Sequence, residues 1–178
     1  MTASMFMKQC LILDTNCLIN LSASKEIINI LRCIPCPCRV SRYVLKQEML
    51  SHDLQPCIDQ GLLLVEKPLP HEAITIVQIH AEESSRDRAL GAGEIETIAI
   101  AAHRDWLVAT DDLNARKRLG ARFPSVEFSS TPELMKHWVE HTQPSNISVK
   151  RALEQISLVG NYVVGSSHPL YSWWNSWF

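Results

Sequence analysis

Short apolar runs alternate with longer amphipathic stretches from Leu11 to Phe128, and this alternation constrains the chain more than any single motif in it. Residues 9–13 read as a strand buried on both faces, closed by the turn-prone "DTN". From Ser24, "SKEIINILRCI" spaces Ile27, Ile28, Ile30 and Leu31 at helical intervals until Pro35 stops it, with Asn16 or Ser22 capping or interrupting the link before it. "CRVS" follows as a second strand and "RYVLKQEMLSH" as a second helix. A short helical piece at "QPCIDQG" and a strand at "LLLVEKPLP", ended by two prolines, come next. A longer helix spans His71 to Ser84. The glycine-rich loop "RDRALGAGE" then opens an alanine-rich helix, "GEIETIAIAAHR". "WLVATDD" is a strand running into two acids, "LNARKRLGARF" a basic helix and "SVEF" the last short strand. "TPELMKHWVEH" begins a helix with Thr131 at the N-cap, Pro132 at N1 and Glu133 at N2.

Strands alternating with helices in this way specify an α/β fold, three-layer α/β/α, with a central mainly parallel sheet. Residues 1–143 carry the pattern. Residues 144–178 form a C-terminal extension with one more amphipathic helix, "SNISVKRALEQISLVGNY", and a tail that holds three of the chain's five tryptophans. Trp173, Trp174, Trp177 and Phe178 each bring about 150–250 Å² of burial. The tail therefore packs back on the domain or meets a partner.

At 178 residues, 46% hydrophobic and 20% charged, the chain has the composition of an ordinary globular domain. A net charge of −2 supplies no global positive field, so nucleic acid would have to be held by a local basic patch or through metal ions. The apolar run before Asp14 is too short for a secretory signal core, and no run approaches a membrane span, so the expected location is cytoplasmic. All six cysteines precede residue 58 and are expected as reduced thiols. The spacing of Cys33, Cys36 and Cys38 matches the opening of a zinc site with Cys57 or His52 as fourth ligand. The second half of a zinc ribbon is missing, and the plainer reading is a turn of small buried residues.

The acids that stand out are Asp14, Glu48, Glu94, Glu96, Asp111 and Asp112, each at a strand end or in an apolar helix. Singly, each has a bland explanation: an Asx turn, a solvated face, a helix cap. Jointly they point to the crevice beyond the carboxyl ends of a parallel sheet. Carboxylates gathered there repel, and at neutral pH they hold protons or a hard cation. Mg²⁺ or Mn²⁺ suits such an oxygen-rich site, where it lowers the pKa of a bound water and offsets charge on a phosphodiester. Glu94 and Glu96 point about 200° apart on a helix, so only one faces the cleft. Glu94, nearer the helix start, is favoured, although the helix dipole alone would also place an acid there.

"LDTNCLINL", "SRYVLKQE", "GAGEIETIAIAA" and "LVATDDLNARKRL" together resemble the PIN-domain family of metal-dependent ribonucleases, which includes the toxins of bacterial toxin-antitoxin pairs, over about Leu11 to Trp138. The resemblance implies a PIN-like nuclease domain over residues 1–143 and an endoribonuclease that cleaves RNA with metal-activated water. It implies Asp14, Glu48, Glu94 or Glu96, and Asp112 or Asp111 as the four acids, with Thr15 and Asn16 shaping the first loop and Thr110 orienting the last acid or the water. The cofactor implied is Mg²⁺ or Mn²⁺. The implied partners are an RNA substrate and an antitoxin protein, with no membrane; the C-terminal extension, beyond the usual end of the domain, is expected to bind an antitoxin, a second copy of the chain as a homodimer, or another subunit. Arg116, Lys117 and Arg118, with Arg86, Arg88 and Arg104, offer positive charge for phosphates, or else a solvated face. His103 reads as a helix-end residue at the favourable C-terminal dipole.

The chain departs from the family by offering two glutamates in the third block, a "TDD" pair, and the Trp-rich extension. One rival reading is a non-catalytic PIN-like module acting through that extension. Another is a phosphatase-like hydrolase with Asp14 as covalent nucleophile, which wants a second aspartate where Asn16 stands.

Overall fold

The computed structural model describes residues 8–50 and 52–178. The segment before Lys8, and Ser51 within the stretch read as a second helix, lie outside the described residues. Five strands form one parallel sheet: β1 (Leu11–Leu13), β2 (Cys38–Ser41), β3 (Leu63–Glu66), β4 (Leu107–Ala109) and β5 (Phe128–Ser129), in the order β3-β2-β1-β4-β5. The register sets Leu11 beside Cys38 on one side and Leu107 on the other, so β1 is the central strand.

Side chains alternate across β1 and β4, as a strand period of two requires. Leu11, Leu13, Leu107 and Ala109 face one core with α1 (Thr15–Ala23), α2 (Ile27–Cys33), α3 (Gln55–Asp59), α7 (Thr131–Thr142) and α8 (Asn146–Leu158). Ile12 and Val108 face a second core with α4 (Pro70–Glu83), α5 (Ala92–Arg104) and α6 (Leu113–Arg122). The molecule is thus a three-layer α/β/α structure. The C-terminal segment, including α9 (Tyr171–Asn175), adds Val164 and Trp174 to the first core, and Trp173 and Trp177 pack partly buried against it. Among the described residues no helix is long and apolar enough to cross a membrane.

Three local expectations are corrected. The stretch after β2 is not a second helix but one π-helical turn, Val44–Glu48. Ser41 Oγ accepts the Val44 N–H at 3.2 Å and Val44 O accepts the Met49 N–H at 3.0 Å, a wide turn that sends Met49 into the core. α1, not expected as a helix, begins directly after Asp14 because Cys17, Leu18 and Leu21 pack on β1. α7 starts one residue earlier than expected: Ser130 is the cap and Thr131 the first helical residue, its N–H bonded to the Asp111 side chain at 2.9 Å.

Strand order sets the location of any site. β1, β2 and β3 build the sheet outward in one direction, and the chain then crosses back to lay β4 and β5 on the other side of β1. The direction of winding reverses between β1 and β4. A crevice forms beyond the carboxyl ends of strands at such a reversal.

Candidate active site

β1 and β4 end at that crevice, and each delivers polar residues to it. Asp14 follows β1 directly; Thr110, Asp111 and Asp112 follow β4. The Asp14 N–H donates to Ala109 O at 2.9 Å, which locks the two strand ends together. Asp14 is 1% exposed, and its Oδ2 accepts the hydroxyl of fully buried Thr110 at 2.9 Å. Thr110 Oγ1 in turn accepts the Asp112 N–H at 3.2 Å. Asp14 Oδ1, equally buried, has no hydrogen-bond partner. Burial pushes the Asp14 carboxyl up to about 6 against the pull of the Thr110 bond, and the charges of Glu48 and Asp111 push the same way.

α5 runs back along the sheet with its N-terminus at the crevice, where free backbone N–H groups and the dipole favour acids. Glu94 Oε2 accepts the Gly91 N–H at 2.9 Å. Burial raises its carboxyl to about 7 despite that bond, with further upward pressure from Asp14 and Asp112. Glu48 arrives from the end of the π-helical turn. It accepts the Thr15 hydroxyl on Oε2 and the Gly93 N–H on Oε1, the latter at 3.2 Å. Any Cβ at residue 93 would overlap the Glu48 carboxylate, so glycine there is what lets this acid reach the helix end. Glu96 faces elsewhere: its carboxylate takes the Tyr43 N–H at 3.3 Å.

The "TDD" acids are placed differently from each other. Asp112 caps α6, its Oδ1 accepting the N–H groups of Asn114 (2.6 Å) and Ala115 (2.8 Å), and it lies close enough to Glu94 to push that carboxyl up. Asp111 turns inward. Its Oδ1 takes the Thr131 N–H, and its Oδ2 takes Asn20 Nδ2 at 2.9 Å, Thr131 Oγ1 at 2.5 Å and the Cys17 thiol at 3.4 Å. Asp14, Glu94 and Asp112, with Glu48 beside them, therefore share the crevice, Asp111 is held behind it, and Asn16 is exposed at its edge. Among the described residues no three such side chains converge as closely as ligands around one ion. The donors are nonetheless all oxygens, and one, Asp14 Oδ1, is buried without a partner, as a hard-cation ligand would be.

The basic residues divide likewise. Arg116 donates to the carbonyls of Thr110 (2.8 and 2.6 Å) and Ser129, stapling the ends of β4 and β5. Arg118 donates to Arg88 O at 2.7 Å and pairs with Glu83, and Arg86 pairs with Glu83 at 3.3 Å. Arg104 is ten residues along α5 from Glu94, about 15 Å at the helical rise, and pairs with Glu66 and Glu72. His103, at the same end of α5, lies 2.9 Å from Thr75 Oγ1 through its Nε2. Lys117 is exposed on α6. Sequence reasoning passed over Arg42, exposed directly after β2 at the same end of the sheet, with neither ion pair nor hydrogen bond among the described residues. Its position one residue past a strand was the available signal.

Among the described residues no three of the cysteines gather closely enough to hold a metal ion. Cys10 belongs to the core under α5, whereas Cys38 and Cys57 belong to the core on the opposite face of the sheet. Burial pushes the half-buried Cys33 and Cys36 thiols up to about 11, away from the thiolate form that metals bind.

No family model matches the chain, and no curated relative matches it. Among solved structures, the chain is similar to one from the VapBC2 complex of Rickettsia felis bound to a DNA fragment from their promoter. The likeness has 12% identity and a TM-score of 0.46, and covers 68% of this chain and 98% of that one. At that level it defines neither a family nor an activity.

Proposed function

We propose that the chain is a metal-dependent endoribonuclease of the PIN type, with Mg²⁺ or Mn²⁺ held at the β1/β4 crevice by Asp14, Glu94 and Asp112. The observation that carries this reading is the buried, unpartnered Asp14 Oδ1 at a crevice to which Glu94 and Asp112, some eighty to a hundred residues away, bring further carboxylates. Such a cation supplies an acidified water and offsets the charge on a scissile phosphodiester. Thr110 holds the Asp14 carboxylate in one rotamer through Oδ2 and leaves Oδ1 open. Glu48, fixed by Thr15 and the Gly93 N–H, orients water at the α5 end of the crevice. Arg42 and Lys117 hold the RNA backbone, since Arg116 and Arg118 already spend their donors on the protein's own carbonyls and acids. The Arg116 staple contributes by keeping the ends of β4 and β5 in register. An antitoxin protein as partner follows from the same family resemblance.

The test is cleavage of single-stranded RNA in Mn²⁺. Wild type is expected to cut and EDTA to stop it. Asp14→Asn is expected to lose roughly a thousandfold, the equivalent of several kcal/mol of lost charge stabilisation. Cleavage by Asp14→Asn in EDTA at the wild-type rate would sink the reading. Absence of Mn²⁺ binding by calorimetry would favour the non-catalytic module instead.

A further inference from the structure

The C-terminal segment is tied to the floor of the crevice at three points. At Gly160 the chain leaves α8 so tightly that a Cβ there would meet Asn20 Oδ1 and Ile156 O, both at 2.6 Å. The next residue, Asn161, takes a left-handed conformation with φ 52°. Asn20, pressed by that turn, donates to Asp111 Oδ2. Two residues on, the Tyr162 phenol lies beside Asp111, and its ring stands edge-on to buried Trp174 with centroids 5.9 Å apart. Further along, His168 Nδ1 accepts the Leu170 N–H at 3.0 Å, which leaves the ring proton on Nε2, 3.0 Å from Ser130 Oγ. Ser130 immediately precedes Thr131, whose N–H and hydroxyl both bind Asp111.

We propose that Tyr162, together with the Gly160 turn acting through Asn20, positions Asp111 and thereby the Thr110–Asp112 loop that carries the site. Asp111 is spanned by donors on both oxygens, so it serves as the anchor of that loop and not as a ligand. The extension is then part of the active-site framework. A tail that only met a partner would have no reason to press its Gly160 turn on Asn20 and to set a half-buried phenol beside an acid 51 positions upstream. The inference rests on the nuclease reading for its functional effect, while its structural half stands apart from it.

Full-length wild type, Tyr162→Phe and Gly160→Ala distinguish these ideas. Three measurements are compared: exchange of the Thr131 amide by NMR, Mn²⁺ affinity by calorimetry, and the split between kcat and KM for RNA. Tyr162→Phe keeps the ring that packs on Trp174 and loses only the hydroxyl. It is expected to stay folded, to exchange the Thr131 amide roughly tenfold faster, and to bind Mn²⁺ roughly tenfold more weakly, with kcat lowered and KM unchanged. Gly160→Ala is expected to move the same readouts the same way. Wild-type Thr131 exchange and Mn²⁺ affinity in folded Tyr162→Phe would overturn the proposal. Should the wild type itself bind no Mn²⁺, the nuclease reading fails alone, and the amide exchange still decides whether the tail holds Asp111.

Discussion

Two of the buried carboxylates among the described residues, Glu72 and Asp14, are treated in opposite ways. Glu72, in the first turn of α4, is 0% exposed. Arg104 grips it with two nitrogens, Nε at 2.7 Å and Nη2 at 2.9 Å, and the Leu69 N–H adds a bond at 2.6 Å. The same arginine reaches Glu66 at 2.7 Å and lies over the Trp106 ring, with Arg39 nearby over the same ring. Burial alone would raise the Glu72 carboxyl, yet these donors hold it below the ordinary value. Asp14 is as deeply buried, has one hydroxyl donor, faces other acids, and is raised to about 6. A buried acid that serves the fold is supplied with its cation by the chain. One left without a cation, beside further acids, marks the place where something from outside is bound.

The contrast can be broken most directly by comparing Asp14→Asn with Arg104→Leu. Asp14→Asn removes a desolvated charge, so alongside its loss of RNA cleavage it is expected to melt a few degrees higher, in line with about 1 kcal/mol. Arg104→Leu strands Glu72 and is expected to cost about 3–5 kcal/mol in denaturant unfolding. A fall in stability for the first or none for the second would dissolve the distinction. Glu94→Gln and Glu96→Gln sharpen it at the crevice: Glu94→Gln is expected to lose roughly 10- to 100-fold in Mn²⁺ affinity by calorimetry, and Glu96→Gln less than about twofold. The smallest effect concerns acid. Because the Glu72 carboxyl is depressed on folding, its contribution is complete above the unfolded value of about 4.3. It is lost as pH falls through the lower folded one. Urea unfolding between pH 5 and 3 is expected to show a shallower decline for Glu72→Gln than for wild type.

Much of this architecture is legible in the chain because buried strands are short apolar runs with turn residues behind them. β2, β3 and β4 lie within the expected runs, and the helices from α4 to α8 follow their apolar spacing. α1 escapes because Asn16 and Ser22 resemble punctuation, whereas both lie inside a helix whose Asn20 is buried and bonded to Asp111. The π-helical turn escapes because a single wide turn has the same apolar spacing as the start of a helix. At the crevice, Asp14 and Asp112 are visible as strand-end acids. That Asp111 turns inward is not, since adjacent acids differ only through Asn20, Thr131 and Tyr162, residues remote in sequence. Arg116 and Arg118 show the same limit: a basic run reads alike whether its guanidinium groups meet water or main-chain carbonyls.

The central place of β1 also bears on how the molecule comes into being. β1 is flanked on one side by β2, available within 30 residues, and on the other by β4, about 96 residues later. Contacts that far apart form late and slow the folding of a parallel sheet. During synthesis the Asp14 segment therefore waits with one edge open until Thr110 and Ala109 are translated, and Tyr162 follows only some fifty residues after that. The crevice is thus assembled only once β4 has been made, and until then the nascent chain carries its acids apart.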